Sequence, residues 1–177
     1  MRNIIVYLAS SVNGLISNKA GIPDWLSEEF GQGFLAICQR AQAVIMGKTT
    51  YDFLNPDYLP LKGEGVLIVL THDTSAKPSQ SNVTFTDRMP QEIIDDLGAR
   101  GFQEAVIIGG AQTVSEFVKA GVVTEIYLVV EPVLFGGGLP MLRGVDFDCK
   151  LTLLNVDKLN DNTVQFRYRL KKPMSTN

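Results

Sequence analysis

Apolar and polar positions along this chain follow two periods in alternation, one of a strand and one of a helix. Ile4-Ile5-Val6-Tyr7-Leu8-Ala9 is an unbroken apolar run, the pattern of a strand covered on both faces. Phe30, Phe34, Ile37, Cys38 and Ala41 then recur at helical spacing. Ala43-Val44-Ile45-Met46 predicts a second buried strand that Gly47 ends, followed by a short helix beginning near Thr49. A loop runs through Asn55-Pro56-Asp57 and Leu59-Pro60 to a third strand, Val66 to Leu70, and Val83-Thr84-Phe85 predicts a short fourth. Pro90 suits a first helical turn, and Ile93, Ile94 and Leu97 give that helix its apolar stripe. Ala105 to Ile108 is a fifth strand broken by Gly109-Gly110. A helix carrying Val114, Phe117 and Val118 follows and stops at Gly121, a suitable C-cap. Glu125 to Val130 is the sixth strand.

The tail changes character. Val164, Phe166, Tyr168 and Leu170 alternate with Gln165, Arg167 and Arg169, which predicts a half-exposed antiparallel strand. It pairs naturally with Leu151 to Leu159 across the turn-forming Asn160-Asp161-Asn162. The sheet is therefore expected to be parallel where helices make the crossovers and to finish in an antiparallel hairpin.

Length and composition narrow the field. The 177 residues fit one domain, and 45% hydrophobic residues can build a substantial core. A formal net charge of −3 provides no chain-wide field for nucleic acid. No run approaches the roughly 20 apolar residues that span a bilayer, and the first apolar run is too short and wrongly flanked for a signal peptide. Two cysteines, Cys38 and Cys149, are expected to be free thiols in a reducing cytoplasm. With those and one histidine, His72, no metal site is expected.

Two strand–glycine–helix turns carry candidate chemistry. In parallel sheets, ligands bind outside the carboxyl ends of the strands. A helix start there offers unpaired N–H groups, and glycine lets the backbone come close to a phosphate. The first turn is Met46-Gly47-Lys48-Thr49-Thr50, with a cation and two hydroxyls. It is not a Walker loop, because the position five before Gly47 is Gln42 rather than glycine. The second is Ile108-Gly109-Gly110-Ala111-Gln112-Thr113, which does not meet the Gly-x-Gly-x-x-Gly fingerprint. Either alone fits a plain connection; together they can hold the two ends of one pyrophosphate. Thr71 and His72, after the third strand, are expected near Lys48. Hydroxyl, imidazole and ammonium there suit an extra phosphate on a ribose and favour NADPH over NADH. A carboxylate at Asp73 would repel that phosphate if it faced inward.

The succession of Ser-Val-Asn-Gly at 11–14, Met-Gly-Lys-Thr-Thr, strand-Thr-His, Ile-Gly-Gly-Ala-Gln and an antiparallel tail resembles the dihydrofolate reductase fold. The stretch Glu131-Pro132-Val133-Leu134-Phe135-Gly136-Gly137-Gly138-Leu139-Pro140-Met141-Leu142 narrows it. That stretch is similar to the reductase domain of the bifunctional riboflavin-biosynthesis deaminase-reductase and its stand-alone relatives. The resemblance implies an α/β, three-layer α/β/α domain over residues 1–172, with a tail at 173–177 and a mixed, mostly parallel central sheet. It implies a reductase, with NADPH as hydride donor. The nicotinamide carboxamide would meet Ala9 and the loop near Ile16. The pyrophosphate would lie over Gly47, Lys48, Thr49 and Thr50 on one side and Gly109, Gly110, Ala111, Gln112 and Thr113 on the other. Lys48, Thr71 and His72 would surround the 2′-phosphate. It also implies a homodimer. Asn13-Gly14 stands where the relatives read Asp-Gly and keeps the turn. The zinc pattern of the deaminase half, His-x-Glu with Pro-Cys-x-x-Cys, is absent.

At the acceptor end, reduction of an imine-like or carbonyl carbon requires a proton. Asp24 is the candidate, with Glu28 behind it; Asp24 also suits the N-cap of the following helix. Trp25 can be core or a flat wall for a heterocycle. The Gly136-Gly137-Gly138 loop can be a flexible connection or a ligand contact. The functional reading is an NADPH-dependent reductase acting on a small heterocyclic or ribosylamine substrate. The alternatives are a dihydrofolate reductase and a nucleotide-binding protein without catalysis. A carboxylate facing the acceptor favours the former alternative, and a cationic phosphate pocket favours the riboflavin-type reductase.

Overall fold

In a computed structural model, residues 1, 3–54, 57–61, 63, 65–75, 78 and 80–171 are described. The predicted turn at Asn55-Pro56 and the predicted tail at 173–177 lie outside them. The strands are β1 (Asn3–Ser11), β2 (Leu15–Asn18), β3 (Ala43–Gly47), β4 (Val66–Leu70), β5 (Val83–Thr86), β6 (Glu104–Ile107), β7 (Glu125–Glu131), β8 (Gly138–Pro140), β9 (Leu151–Lys158) and β10 (Val164–Leu170). The helices are α1 (Glu28–Ala41), α2 (Lys48–Leu54), α3 (Pro90–Ala99) and α4 (Ala111–Lys119).

Eight strands form one sheet in the order β5-β4-β3-β6-β1-β7-β10-β9. Pairings from β5 through to β7 are parallel, and β10 is antiparallel to both β7 and β9. The unbroken apolar runs of the central strands have a direct cause. Ile4, Val6 and Leu8 of β1 enter a core with Ile93, Leu97 and Phe117, under α3 and α4. Ile5, Tyr7 and Ala9 enter a second core with Ile37, Cys38 and Tyr51, under α1 and α2. A strand buried on both faces needs an apolar residue at every position. The molecule is thus a three-layer α/β/α domain with a mixed, mostly parallel sheet, as the resemblance implied.

Two parts of the tail and the mid-chain differ from the sequence expectation. Residues 15–18 and 138–140 pair as a separate two-stranded sheet, Asn18 opposite Gly138 and Leu15 opposite Pro140. These segments are too short for their periodicity to show. The third glycine of the 136–138 run is therefore a strand residue. In β10 the polar Gln165 is buried, while Val164, Phe166 and Tyr168 are only partly covered. The alternation is present, but of its apolar side Leu170 packs against the α3 and α4 core while Phe166 and Tyr168 stay only partly covered, so the expected inside and outside are exchanged at Gln165.

A cleft at the carboxyl ends of the parallel strands

The cleft runs along the carboxyl ends of β1, β3, β4 and β6 and has a volume of about 2490 Å³. Ordinary ligand pockets hold roughly 300–1,000 Å³; this lining is longer, reaching Gln42 before β3 and Lys119 at the end of α4. Ala9, Ile16, Gly47, Lys48, Thr49, Thr50, Thr71, His72, Gly109, Gly110, Ala111, Gln112 and Thr113 all line this one cleft.

The two glycine turns touch. Gly47 N–H donates to Gly109 O at 2.8 Å, and Ile108 N–H donates to Ile45 O at 3.0 Å. A Cβ on Gly47 would sit 2.8 Å from Thr113 Oγ1 and 3.7 Å from Gly110 N. One on Gly110 would lie 3.5 Å from Thr50 Oγ1. They therefore form one continuous cradle rather than two opposed banks. Gly109 has φ +116°, open to glycine but strained for an L side chain. At the start of α4 the N-cap is Gly110, which has no side chain to bond the first-turn N–H groups. Those donors and the hydroxyls of Thr49, Thr50 and Thr113 suit an anion. Because α2 is only seven residues long, its contribution rests on hydroxyls and backbone more than on any dipole.

The end of the cleft beside β4 and β5 has a cation already engaged. Lys48 Nζ lies 2.6 and 2.7 Å from the two Asp52 carboxylate oxygens. It also lies 5.7 Å from the Phe85 ring and 5.9 Å from the Tyr51 ring, within cation–π range. Asp52 lies four residues on from Lys48 along α2, the i,i+4 spacing of a helical ion pair. Thr71 N–H donates to Thr86 O at 2.9 Å, which brings the end of β5 beside Thr71 and His72. Arg88 lines the cleft there, a cation the sequence reading missed. The carboxylate of Asp73 accepts from Ser75 N–H and Oγ–H, and Asp73 is not part of the lining.

At the other end of the cleft, residues of α1 and of α2 form the lining. Trp25, half-buried, packs edge-on against Phe135 with ring centroids 5.2 Å apart. It lines the cleft and also packs against the core under α1 and α2, so it is wall and core edge at once. Asp24 is exposed and is not part of the lining, whereas Pro23, Trp25 and Glu28 are. Nor does Asp24 cap α1. Leu26 N–H donates to Pro23 O, which places Asp24 inside a turn. The cap is Ser27, whose Oγ accepts from Phe30 N–H at 3.2 Å.

Ser27 is held in turn by Glu131, a residue the sequence reading passed over. Only 1% exposed, its carboxylate accepts from Ser27 Oγ at 2.7 Å, from Ser27 N–H at 3.0 Å and from Thr163 Oγ1 at 2.9 Å. The available signal was a charged residue closing an apolar strand. Beneath α1, Tyr7 donates its hydroxyl to Phe30 O at 3.2 Å and stacks on the Phe30 ring. Burial raises the Tyr7 pKa, and Cys38 and Glu131 nearby add to the rise. Burial likewise pushes the Cys38 thiol up to about 12. Among the described residues there is no cluster of metal-ligating side chains and no helix long and apolar enough to cross a membrane.

Comparison with known proteins gives this geometry a family. The family model for the RibD C-terminal domain matches residues 2–165. A crystal structure of a putative riboflavin biosynthesis protein from Shewanella sp. PV-4 superposes with a TM-score of 0.80 at 25% identity, covering 96% of this chain and 99% of that one. The Thermotoga maritima diaminohydroxyphosphoribosylaminopyrimidine deaminase/5-amino-6-(5-phosphoribosylamino)uracil reductase gives a TM-score of 0.76 at 18% identity, over 96% of this chain and 57% of that one. Schistosoma mansoni dihydrofolate reductase gives a TM-score of 0.69 at 24% identity, covering 96% and 99% of the two chains.

Proposed function

The chain belongs to the RibD C-terminal domain family, and we propose that it works there as an NADPH-dependent reductase of a small heterocyclic or ribosylamine acceptor. The observation that carries this reading is the contact of the two glycine turns in one cleft, with Gly47 N–H bonded to Gly109 O. That arrangement fits a dinucleotide diphosphate. The backbone comes close where Cβ atoms are missing, and hydroxyl and amide donors surround the space. When bound, NADPH supplies the hydride. The protein supplies orientation and a water-poor setting. Ala9 and Ile16 position the nicotinamide, Gly47 to Thr50 and Gly109 to Thr113 hold the diphosphate, and Lys48, Thr71 and His72 receive the 2′-phosphate. Arg88 adds a further positive charge at that end. On the acceptor side Glu28 lines the cleft and Asp24 does not, so we assign the proton's route to water beside Glu28 rather than to Asp24.

The hairpin supports the rest of the reading. Leu153 and Val156 of β9 are 52% and 48% exposed beside the half-covered Phe166 and Tyr168 of β10. An apolar sheet face of that kind marks an interface, and we assign it to a second copy of the chain, in a cytoplasmic homodimer.

The test is equilibrium binding of NADPH and NADH, followed by loss of reduced-cofactor absorbance across a panel of acceptors including dihydrofolate and the riboflavin-pathway ribosylamine. Tighter binding of NADPH, with turnover of at least one acceptor, is expected. Binding of neither dinucleotide ends the oxidoreductase reading, and NADPH binding without any turnover favours a nucleotide-binding protein. Lys48→Gln should weaken NADPH by tenfold or more and NADH much less; equal losses refute the assigned 2′-phosphate contact.

A further inference from the structure

The cations of the cleft are unevenly placed. Lys48 and Arg88 lie at the β4–β5 end, with the imidazole of His72 beside them, and Lys119 sits on α4. Arg143 is tied to α4 as well, its backbone N–H donating to Ser115 Oγ at 2.7 Å, on the opposite face of the sheet from α1. Between α1 and the C-terminal half of α2, the described lining residues include no lysine, arginine or histidine. What charge there is comes from the carboxylates of Glu28 and Asp57. The rest of that wall is largely flat and apolar: Trp25, Phe30, Phe34, Phe53 and Tyr58. Phe53 and Tyr58 are 56% and 72% exposed, although residues of this size usually find cover. This half adjoins Ala9, which shares a core with Phe30, Phe34 and Trp25.

We infer that the acceptor is a planar, uncharged nitrogen heterocycle that carries no phosphate. This rests on the cofactor assignment above and deepens it. Aromatic walls receive a flat ring by stacking, and the carboxylates and the amide of Gln32 can bond ring N–H and carbonyl groups. A phosphate in the same place would lose water without gaining a cation from any described lining residue, and would face two carboxylates. A phosphorylated ribosylamine is therefore rejected by the half of the cleft that would have to hold it.

The experiment uses matched pairs that differ by one phosphate, riboflavin with flavin mononucleotide and uridine with uridine monophosphate. Each is titrated into the full-length protein with and without saturating NADPH, whose own binding is measured separately. The neutral member of at least one pair is expected to bind, with its phosphorylated partner at least tenfold weaker. Leu35→Arg, at an exposed lining position of α1, should narrow that gap by strengthening the phosphorylated member. Phosphorylated members that bind as tightly as neutral ones, or a complete failure of neutral members to bind, overturn the acceptor assignment. If NADPH binds in the same samples, the cofactor assignment stands regardless; if it does not, that assignment falls on its own.

Discussion

A methyl group on Gly47 would press against Thr113 Oγ1 at 2.8 Å, and Thr113 is 4% exposed with little room to retreat. Gly47→Ala should therefore cost about 1–3 kcal/mol of stability through overpacking and weaken NADPH by tenfold or more. Thermal unfolding and a fluorescence titration measure the two effects. Adding Thr113→Ala should recover stability, and no recovery would show that the strain lies elsewhere. That Gly47 and Gly110 line one cleft was legible, because each glycine stood between a buried strand and a helix start. The Lys48–Asp52 pair was legible in spacing yet not in consequence. An ammonium held by its own helix must share its charge with any phosphate. Asp52→Asn should accordingly improve the preference for NADPH over NADH, measured as the ratio of dissociation constants.

Cys38 belongs to the same scale. Its folded pKa, near 12, lies above that of an exposed thiol. The proton is thus bound more tightly in the folded state, and the stabilisation is complete below the unfolded pKa. It is lost as pH rises from about 8.5 through the folded value. Between those limits stability should fall by about 1.4 kcal/mol per pH unit for this group, and Tyr7, also raised by burial, steepens the fall at higher pH. Cys38→Ala should flatten the first part of that slope in denaturant titrations run from pH 8 to 11; an unchanged slope would refute the assignment.

Among the elements, α1 has two characters. Its C-terminal half buries Ile37, Cys38 and Ala41, while Phe30 and Phe34 in its N-terminal half are half-exposed along the cleft. A helical apolar stripe was visible in the sequence, but periodicity does not tell core from ligand wall. The start of α1 was misplaced for a related reason: Asp24 and Ser27 are both good caps by type, and only the Pro23–Leu26 turn decides between them. Glu131 escaped notice because its partners, Ser27 and Thr163, are far from it in sequence. The short β2 and β8 offered no period to read. Ser27→Ala removes the cap, costing about 1 kcal/mol, and deprives a buried carboxylate of its shortest hydrogen bond, about 1–3 kcal/mol more. A loss of under about 0.5 kcal/mol by chemical denaturation would be the size of an ordinary surface change and would contradict this role.

The whole molecule is a sheet covered on both faces at its centre and left partly bare at one edge. Helices cross over β1, β3, β4 and β6, while β9 and β10 keep an apolar side half-open. The alternating pattern of 164–170 gave the strand and its hairpin partner, but not which side the helices would cover. If a second copy covers that side, Leu153→Lys with Val156→Lys should yield a monomer by light scattering, and an unaltered mass would exclude this face as the interface. The cleft, in contrast, lies at the covered centre, where six parallel strands end. The proposed function requires two loops more than sixty residues apart to hold one diphosphate. Amide chemical shifts recorded during an NADPH titration test this directly. Gly47 to Thr50 and Gly109 to Thr113 should move together, with one shared dissociation constant. Shifts confined to one of the two turns, or to residues outside the cleft, would contradict it.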